Sequence, residues 1–323
     1  VRVLENLSDS ELTELLLQLV QVLKYESFHR SPLSIFLLRR ALLNQQEVGH
    51  TLFWLLRAEM HDPSCSERYA SLMLAYLNNA QNHIPILSLQ KDVNTFLENA
   101  ISKVVQEAQK GKSGNSLRKF AQEELAKING MLPEKSFLCL GSEWEVGRII
   151  VEDCKVMNSK QKPLWVVFQN GDGHEASEKV YTIFKSGDDL RQDQMTLQIL
   201  RYMQRLWLND GIDLRLTPYR CVATGWNVGM LEVVTESNTT ANIQKELGSM
   251  GALKSSSLFV WLKAQNNGKD NWGEVVDNFV RSCAGYCVAS FVLGLGDRHA
   301  DNIMVKKDGH LFQAFWRGHG EDF

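Results

Sequence analysis

A short polar stretch, Gly294-Leu295-Gly296-Asp297-Arg298-His299-Ala300-Asp301-Asn302, concentrates groups able to do chemistry. Asp297 and Asn302 stand five positions apart. Loops that transfer phosphoryl groups use this spacing, the amide holding a divalent cation and the carboxylate meeting the attacking hydroxyl. The triplet order here is Asp-Arg-His, which a salt-bridge cluster at a helix end would also produce. A second candidate is Lys185, at the end of the apolar run Tyr181-Thr182-Ile183-Phe184 and just before Gly187-Asp188-Asp189-Leu190-Arg191-Gln192-Asp193. A strand lysine aimed at nucleotide phosphates needs a carboxylate to hold it, because a lone buried ammonium is costly. Asp193 is placed for that task; a surface lysine before a turn is the rival reading. Gly111-Lys112-Ser113 imitates the tail of a phosphate-binding P-loop, but Gln106 stands where the upstream glycine is required, and a helix precedes it. No G-x-G-x-x-G loop occurs.

The elements that must position these groups fall into two patterns. Up to about residue 130 the periodicity is helical. Ser8 and Glu11 have capping-box spacing ahead of Leu12, Leu16, Leu19 and Leu23, and Pro32 suits a first helical turn. Further helices are predicted over 47–60, 67–79, 91–109 and 116–128, an α-solenoid-like stack without a fixed repeat. After Gly130 short β-prone runs take over, at 149–151, 164–168, 181–184, 220–223 and 230–234, with one helix over 190–208 among them. Helix returns from Ile243 through Trp261 and over 275–293, and Lys307-Asp308-Gly309 joins strands 303–305 and 310–315 as a hairpin. The fold class expected is α+β: a helical domain over 1–130, then a bilobal protein-kinase-like domain with its N-lobe over 131–234 and an incomplete C-lobe over 235–323.

Composition narrows the classes. The 323 residues are 44% hydrophobic and 23% charged, which excludes collagen-like, coiled-coil and disordered chains. Thirty-five basic residues against 38 acidic ones give a net charge of -3, arguing against a nucleic-acid partner. The six cysteines lack paired zinc-site spacing and read as reduced thiols of a cytosolic protein. The run Ala284–Leu295 is too short and glycine-rich for a transmembrane segment.

Taken together, Phe184 to Asp193, Arg281-Ser282-Cys283-Ala284-Gly285-Tyr286-Cys287, Gly294 to Val305, Pro163-Leu164-Trp165 and Leu231-Glu232-Val233-Val234 resemble class I phosphoinositide 3-kinase catalytic subunits. The likeness runs from Val1 to about Phe312. It implies ATP and Mg²⁺ as cofactors and assigns roles residue by residue. Met157-Asn158-Ser159-Lys160 would cover the phosphates, Ser159 donating a hydrogen bond. Met157 and Trp165 would wall the adenine from above and Met304 from below, while Glu232 and Val234 would be the hinge and Tyr219 would line the interior near Asp193. Ordinary core packing is the competing reading for these apolar residues. Lys185 would reach the phosphates and Asn302 would bind Mg²⁺. His299 would take the proton of an inositol hydroxyl, an imidazole titrating near neutral pH, with Asp297 orienting it.

The resemblance implies transfer of the ATP γ-phosphate to the 3-hydroxyl of a phosphatidylinositol lipid at the membrane surface. It also implies an SH2-containing regulatory subunit and a cytoplasmic protein recruited to the inner face of the plasma membrane. The chain departs from the pattern after Phe312, where a His, an apolar residue and Asp-Phe-Gly are expected. Gln313-Ala314-Phe315-Trp316-Arg317 stands there instead, so Phe315 occupies the place of a metal-binding Asp. Asp322-Phe323 echoes the missing pair seven residues late. A truncated, impaired kinase is therefore expected. The alternatives are a protein kinase of the same superfamily and a catalytically dead binding module.

Overall fold

The computed structural model describes residues 1–171, 179–246, 256–268, 270–296 and 299–314. They form two compact units, one of residues 1–195 and 220–233, the other of residues 196–219 and 234–323.

The first unit opens with helices α1 (Asp9–Val22), α2 (Pro32–Leu43), α3 (His50–Glu59), α4 (Ser66–Asn79), α5 (Ile84–Gln109) and α6 (Gly114–Asn129). The capping box forms as the spacing predicts: the Glu11 N–H donates to Ser8 Oγ at 3.2 Å, and the Ser8 N–H donates to the Glu11 carboxylate at 2.9 Å. Pro32 sits in the first turn of α2, where its missing N–H costs nothing. Two of the expected helices need correction. The helix foreseen over 47–60 is a π-helical turn, Gln45–Gly49, leading into α3. The helix foreseen over 91–109 begins at Ile84, because Pro85 is tolerated in a first turn.

Strands β1 (Ser136–Phe137), β2 (Glu145–Ile149), β3 (Lys155–Val156), β4 (Leu164–Asn170), β5 (Lys179–Ser186), β6 (Cys221–Gly225) and β7 (Val228–Glu232) complete this unit. Each pairing is antiparallel, in the order β1-β2-β4-β5-β7-β6, with β3 also on β4. The strand foreseen over 149–151 lies earlier, since Val151 enters a 3₁₀ turn. β4 and β5 are rich in β-branched and aromatic residues, and Val166, Val167, Phe168, Ile183 and Phe184 are all sealed from solvent. Residue 130 marks a change from helix to strand within one compact unit. A single apolar cluster runs from Leu12 and Trp54 through Leu97 to Phe168, Phe184 and Met230. Trp54 Nε1 donates to Gln90 Oε1 at 2.9 Å, and Gln90 Nε2 donates to the Leu138 carbonyl at 3.0 Å, tying α3 to α5 and to the approach to the sheet.

Helix α7 (Arg191–Asn209) begins in the first unit and contributes residues from Thr196 onward to the second. The second unit adds α8 (Thr240–Glu246), α9 (Ser257–Gln265), α10 (Trp272–Leu293) and a three-stranded sheet of β8 (Ser237–Thr239), β9 (Ile303–Lys306) and β10 (Leu311–Gln313), in the order β10-β9-β8. The hairpin forms where Gly309 is predicted to turn the chain, at φ +98°. It is seated on α10: Ser282 Oγ accepts the Leu311 N–H at 2.8 Å, and Asn278 Nδ2 donates to the Asp308 carbonyl at 3.0 Å. Among the described residues no helix is long and apolar enough to cross a membrane.

Candidate active site

In the first unit the site is built around Lys185, next to last in β5. Its side chain is 3% exposed, and Nζ lies 3.2 Å from Asp188 Oδ2. Such burial is tolerated because the carboxylate offsets the desolvation of the ammonium. The return of the chain that brings Asp188 back depends on Gly187, at φ +101°. Its N–H donates to the Asn227 carbonyl at 2.7 Å, and a Cβ there would meet the Gln161 side chain at 2.7 Å. Asp193 is buried in the first turn of α7, where the helix N-terminus favours a carboxylate.

The segment between β3 and β4 is a closed turn. The Met157 N–H donates to the Pro163 carbonyl at 2.8 Å and the Ser159 N–H to the Met157 carbonyl at 3.0 Å, with Lys162 in the left-handed region. Met157 and Ser159 are half-buried. Trp165 lies in β4 with Tyr181 edge-on at 6.2 Å between ring centroids and the Lys155 ammonium 4.5 Å from its own ring centroid. Glu232 closes β7. Its N–H donates to the Arg220 carbonyl at 2.9 Å, and its carboxylate accepts the Arg220 N–H at 2.8 Å.

In the second unit the Val234 carbonyl accepts Ser237 Oγ–H at 2.6 Å. Tyr219 is buried, its ring 6.4 Å from that of Phe312 and its carbonyl accepting from Arg201 at 2.6 Å. Met304, in the central strand of the small sheet, faces Phe312 on one side and Thr239 on the other in register. Asn302 is buried and knots the loop ahead of β9. Its Oδ1 accepts the His299 N–H at 3.1 Å, its own N–H donates to the His299 carbonyl at 3.1 Å, and its carbonyl accepts the Ala314 N–H at 2.9 Å. His299 Nδ1 accepts the Asp301 N–H at 3.2 Å, so the neutral ring carries its hydrogen on Nε2. Asp297 and Phe315 lie outside the described residues.

A buried strand lysine with a carboxylate partner, and an Asn-His loop leading into a hairpin, are parts used in phosphoryl transfer. The comparisons agree. Residues 179–314 match the family described as phosphatidylinositol 3- and 4-kinase, and residues 1–88 match the accessory (PIK) domain of the phosphoinositide 3-kinase family. Phosphatidylinositol 3-kinase 2 of Dictyostelium discoideum is 46% identical over 314 residues, covering 97% of this chain and 16% of that protein. Phosphatidylinositol 3-kinase 1 of the same organism is 44% identical over 315 residues, covering 97% of this chain and 19% of that protein. The chain belongs to the phosphoinositide 3-kinase family. It spans less than a fifth of the length of these phosphoinositide 3-kinase relatives.

A kinase domain of this family implies ATP, ordinarily with a divalent metal. Mg²⁺ in such sites is held by nucleotide phosphates with one or two side-chain oxygens, and Asn302 Oδ1 is such an oxygen among the described residues. Among the described residues no three His, Cys, Asp or Glu side chains gather to hold an ion. Asn302 Oδ1 accepts the His299 N–H and keeps a second lone pair, while position 315, outside the described residues, is a Phe in the sequence.

Three residues around Lys185 were given no role by sequence reasoning. Asp188 pairs with Lys185 at 3.2 Å. Arg191 grips Asp189 through two bonds of 2.8 Å, from Nε and Nη2. Glu59, at the end of α3, accepts from Arg191 Nη1 at 3.1 Å. The doubled Asp after Gly187 carried a signal for the first; nothing local marked Glu59.

Proposed function

We propose that this chain binds ATP as part of a phosphoinositide 3-kinase whose reaction transfers the γ-phosphate to the 3-hydroxyl of a phosphatidylinositol lipid. The observation that carries the reading is Lys185, a charged side chain buried on a sheet strand and ion-paired to Asp188. A fold retains so costly a group where anions are to be received. Lys185 and Ser159 are assigned to the phosphates, with Asp193 behind the lysine and Tyr219 toward the interior. Met157, Trp165 and Met304 are assigned to the adenine faces, and the backbones of Glu232 and Val234 to its edge. His299 is assigned to the lipid hydroxyl proton, which Nδ1 accepts once it releases the Asp301 N–H, and Asp297 to orienting it. The names of the relatives, each a phosphatidylinositol 3-kinase, support a lipid over a protein substrate. An SH2-containing regulatory partner, and recruitment from the cytoplasm to the inner face of the plasma membrane, belong to the same reading.

Phe315 limits the chemistry. Without a carboxylate there, a main device for neutralising charge on the γ-phosphate is lost, at a cost of about 10² or more in rate. The chain is therefore proposed to bind nucleotide while turning over lipid poorly. Isothermal titration with ATP tests the binding. Lys185→Ala is expected to weaken affinity about ten- to hundredfold, as befits a charge-assisted contact. Unchanged affinity in a folded Lys185→Ala variant would overturn the assignment. Rapid 3-phosphorylation of phosphatidylinositol vesicles, abolished by Lys185→Ala, would overturn the impairment.

A further inference from the structure

Between the helical array and the strands, all within the first unit, lies a chain of charged contacts that the assignments above leave unused. Glu59 is buried at the C-terminal end of α3. Its Oε1 accepts from Gln21 Nε2 at 2.9 Å, and its Oε2 accepts from Lys24 Nζ at 2.9 Å and from Arg191 Nη1 at 3.1 Å. Burial alone would raise this carboxyl, yet the hydrogen bonds and the two cations hold it below the usual carboxylate range. Arg191 turns the other edge of its guanidinium to Asp189, in the two-bond fork that only a planar guanidinium supplies. A third contact restrains the same arginine. The Trp226 ring centroid lies 5.2 Å from its central carbon and 4.1 Å from the ring centroid of His61, just beyond α3.

Asp189 is the neighbour of Asp188, the partner of Lys185. The intervening loop is fixed at one end by the Gly187 N–H on the Asn227 carbonyl, next to Trp226, and at the other by Arg191 on Asp189. The phosphate-facing lysine is thus set by a loop whose anchor is a carboxylate 132 residues earlier, in the helical array. We infer that Glu59 is a positioning residue for the Lys185 site, acting through Arg191 and the Gly187–Asp189 loop, so that contacts made on the helical array tune the affinity for nucleotide phosphates. The inference rests on the reading of Lys185 as the phosphate contact.

The experiment compares ATP with adenosine by isothermal titration on the full chain carrying Glu59→Gln, Arg191→Lys or both. Coupling through such networks changes affinity by about three- to tenfold. Each single variant is expected to weaken ATP by that factor and to leave adenosine within about twofold, since only the phosphates meet Lys185. The double variant is expected to cost no more than Arg191→Lys alone, because both act on one pathway. Arg191→Lys keeps the charge and is partly solvent-exposed, so it serves should Glu59→Gln fail to fold. ATP and adenosine weakened alike would show a merely structural role and overturn the proposal. ATP weakened by Lys185→Ala but by neither variant would overturn the proposal alone. No effect of Lys185→Ala, or no ATP binding by the unaltered chain, would overturn the underlying reading and this proposal with it.

Discussion

The hairpin that carries Asn302 and Met304 owes its seat to one glycine, and replacing it gives a test with an internal control. At Gly309, φ is +98°, and an added Cβ would lie 2.1 Å from the Val275 carbonyl oxygen and 2.9 Å from its carbon, both backbone atoms of α10. Gly268 has φ +78° but open space around the same position. Gly268→Ala therefore meets the dihedral cost alone, about 1–2 kcal/mol. Gly309→Ala meets that cost plus a backbone collision that must lift the turn from the helix, about 1–3 kcal/mol more by analogy with overpacked cores. Native-state hydrogen exchange reads the difference at the Lys306 amide, bonded to the His310 carbonyl at 2.8 Å, and at the Ala314 amide, bonded to the Asn302 carbonyl at 2.9 Å. The alanine at 309 should speed exchange at both amides by about tenfold or more, whereas the alanine at 268 leaves both nearly unchanged. Equal, small effects from the two substitutions would mean that the hairpin is not pressed on Val275 as described, and the placement of Asn302 would lose its support.

Trp54→Phe keeps most of the ring but removes the donor to Gln90, so it should cost about 1–3 kcal/mol in urea unfolding of the first unit, the price of a buried unpaired carbonyl. His50 and His83, buried with ring centroids 6.4 Å apart, are held down to about 3 and about 4 by desolvation, their mutual repulsion adding to the effect at His50. The unfolded chain then binds more protons than the folded one below about pH 6.5, so stability is full above that pH and is lost as pH falls toward 4 and 3. Each histidine steepens the acid limb by up to about 1.4 kcal/mol per pH unit. His83→Gln should make the limb measurably shallower, and an unchanged slope would refute the assignment.

The sequence disclosed what local rules govern. Ser8 with Glu11 and Pro32 announced two helix starts, and Gly309 announced the hairpin, because caps and turns are decided by neighbours a few residues away. The strands β4 and β5 were legible because both faces are apolar. β8, Ser237-Asn238-Thr239, carries no such pattern and exists only through its pairing with β9. Of the site, Lys185 could be read from its place after an apolar run. Its contact with Asp188 needed the positive φ of Gly187, and Glu59 needed the fold itself, since no spacing rule links residues 59 and 191. Long-range pairing of this kind leaves no periodicity to find.

The apolar cluster shared by the first helices and the strands also has a consequence for biosynthesis. β6 packs on α3, and Arg191 must find Glu59, yet the later partners leave the ribosome 132 residues or more behind the earlier ones. At about 5–20 residues per second that interval is on the order of ten seconds. Throughout it, the flank of α3 destined for β6 has only water or a chaperone to face. The nascent helices can form early, but the strand that covers α3 follows more than 150 residues later, so the delay before its arrival is when this flank is most exposed to misassembly.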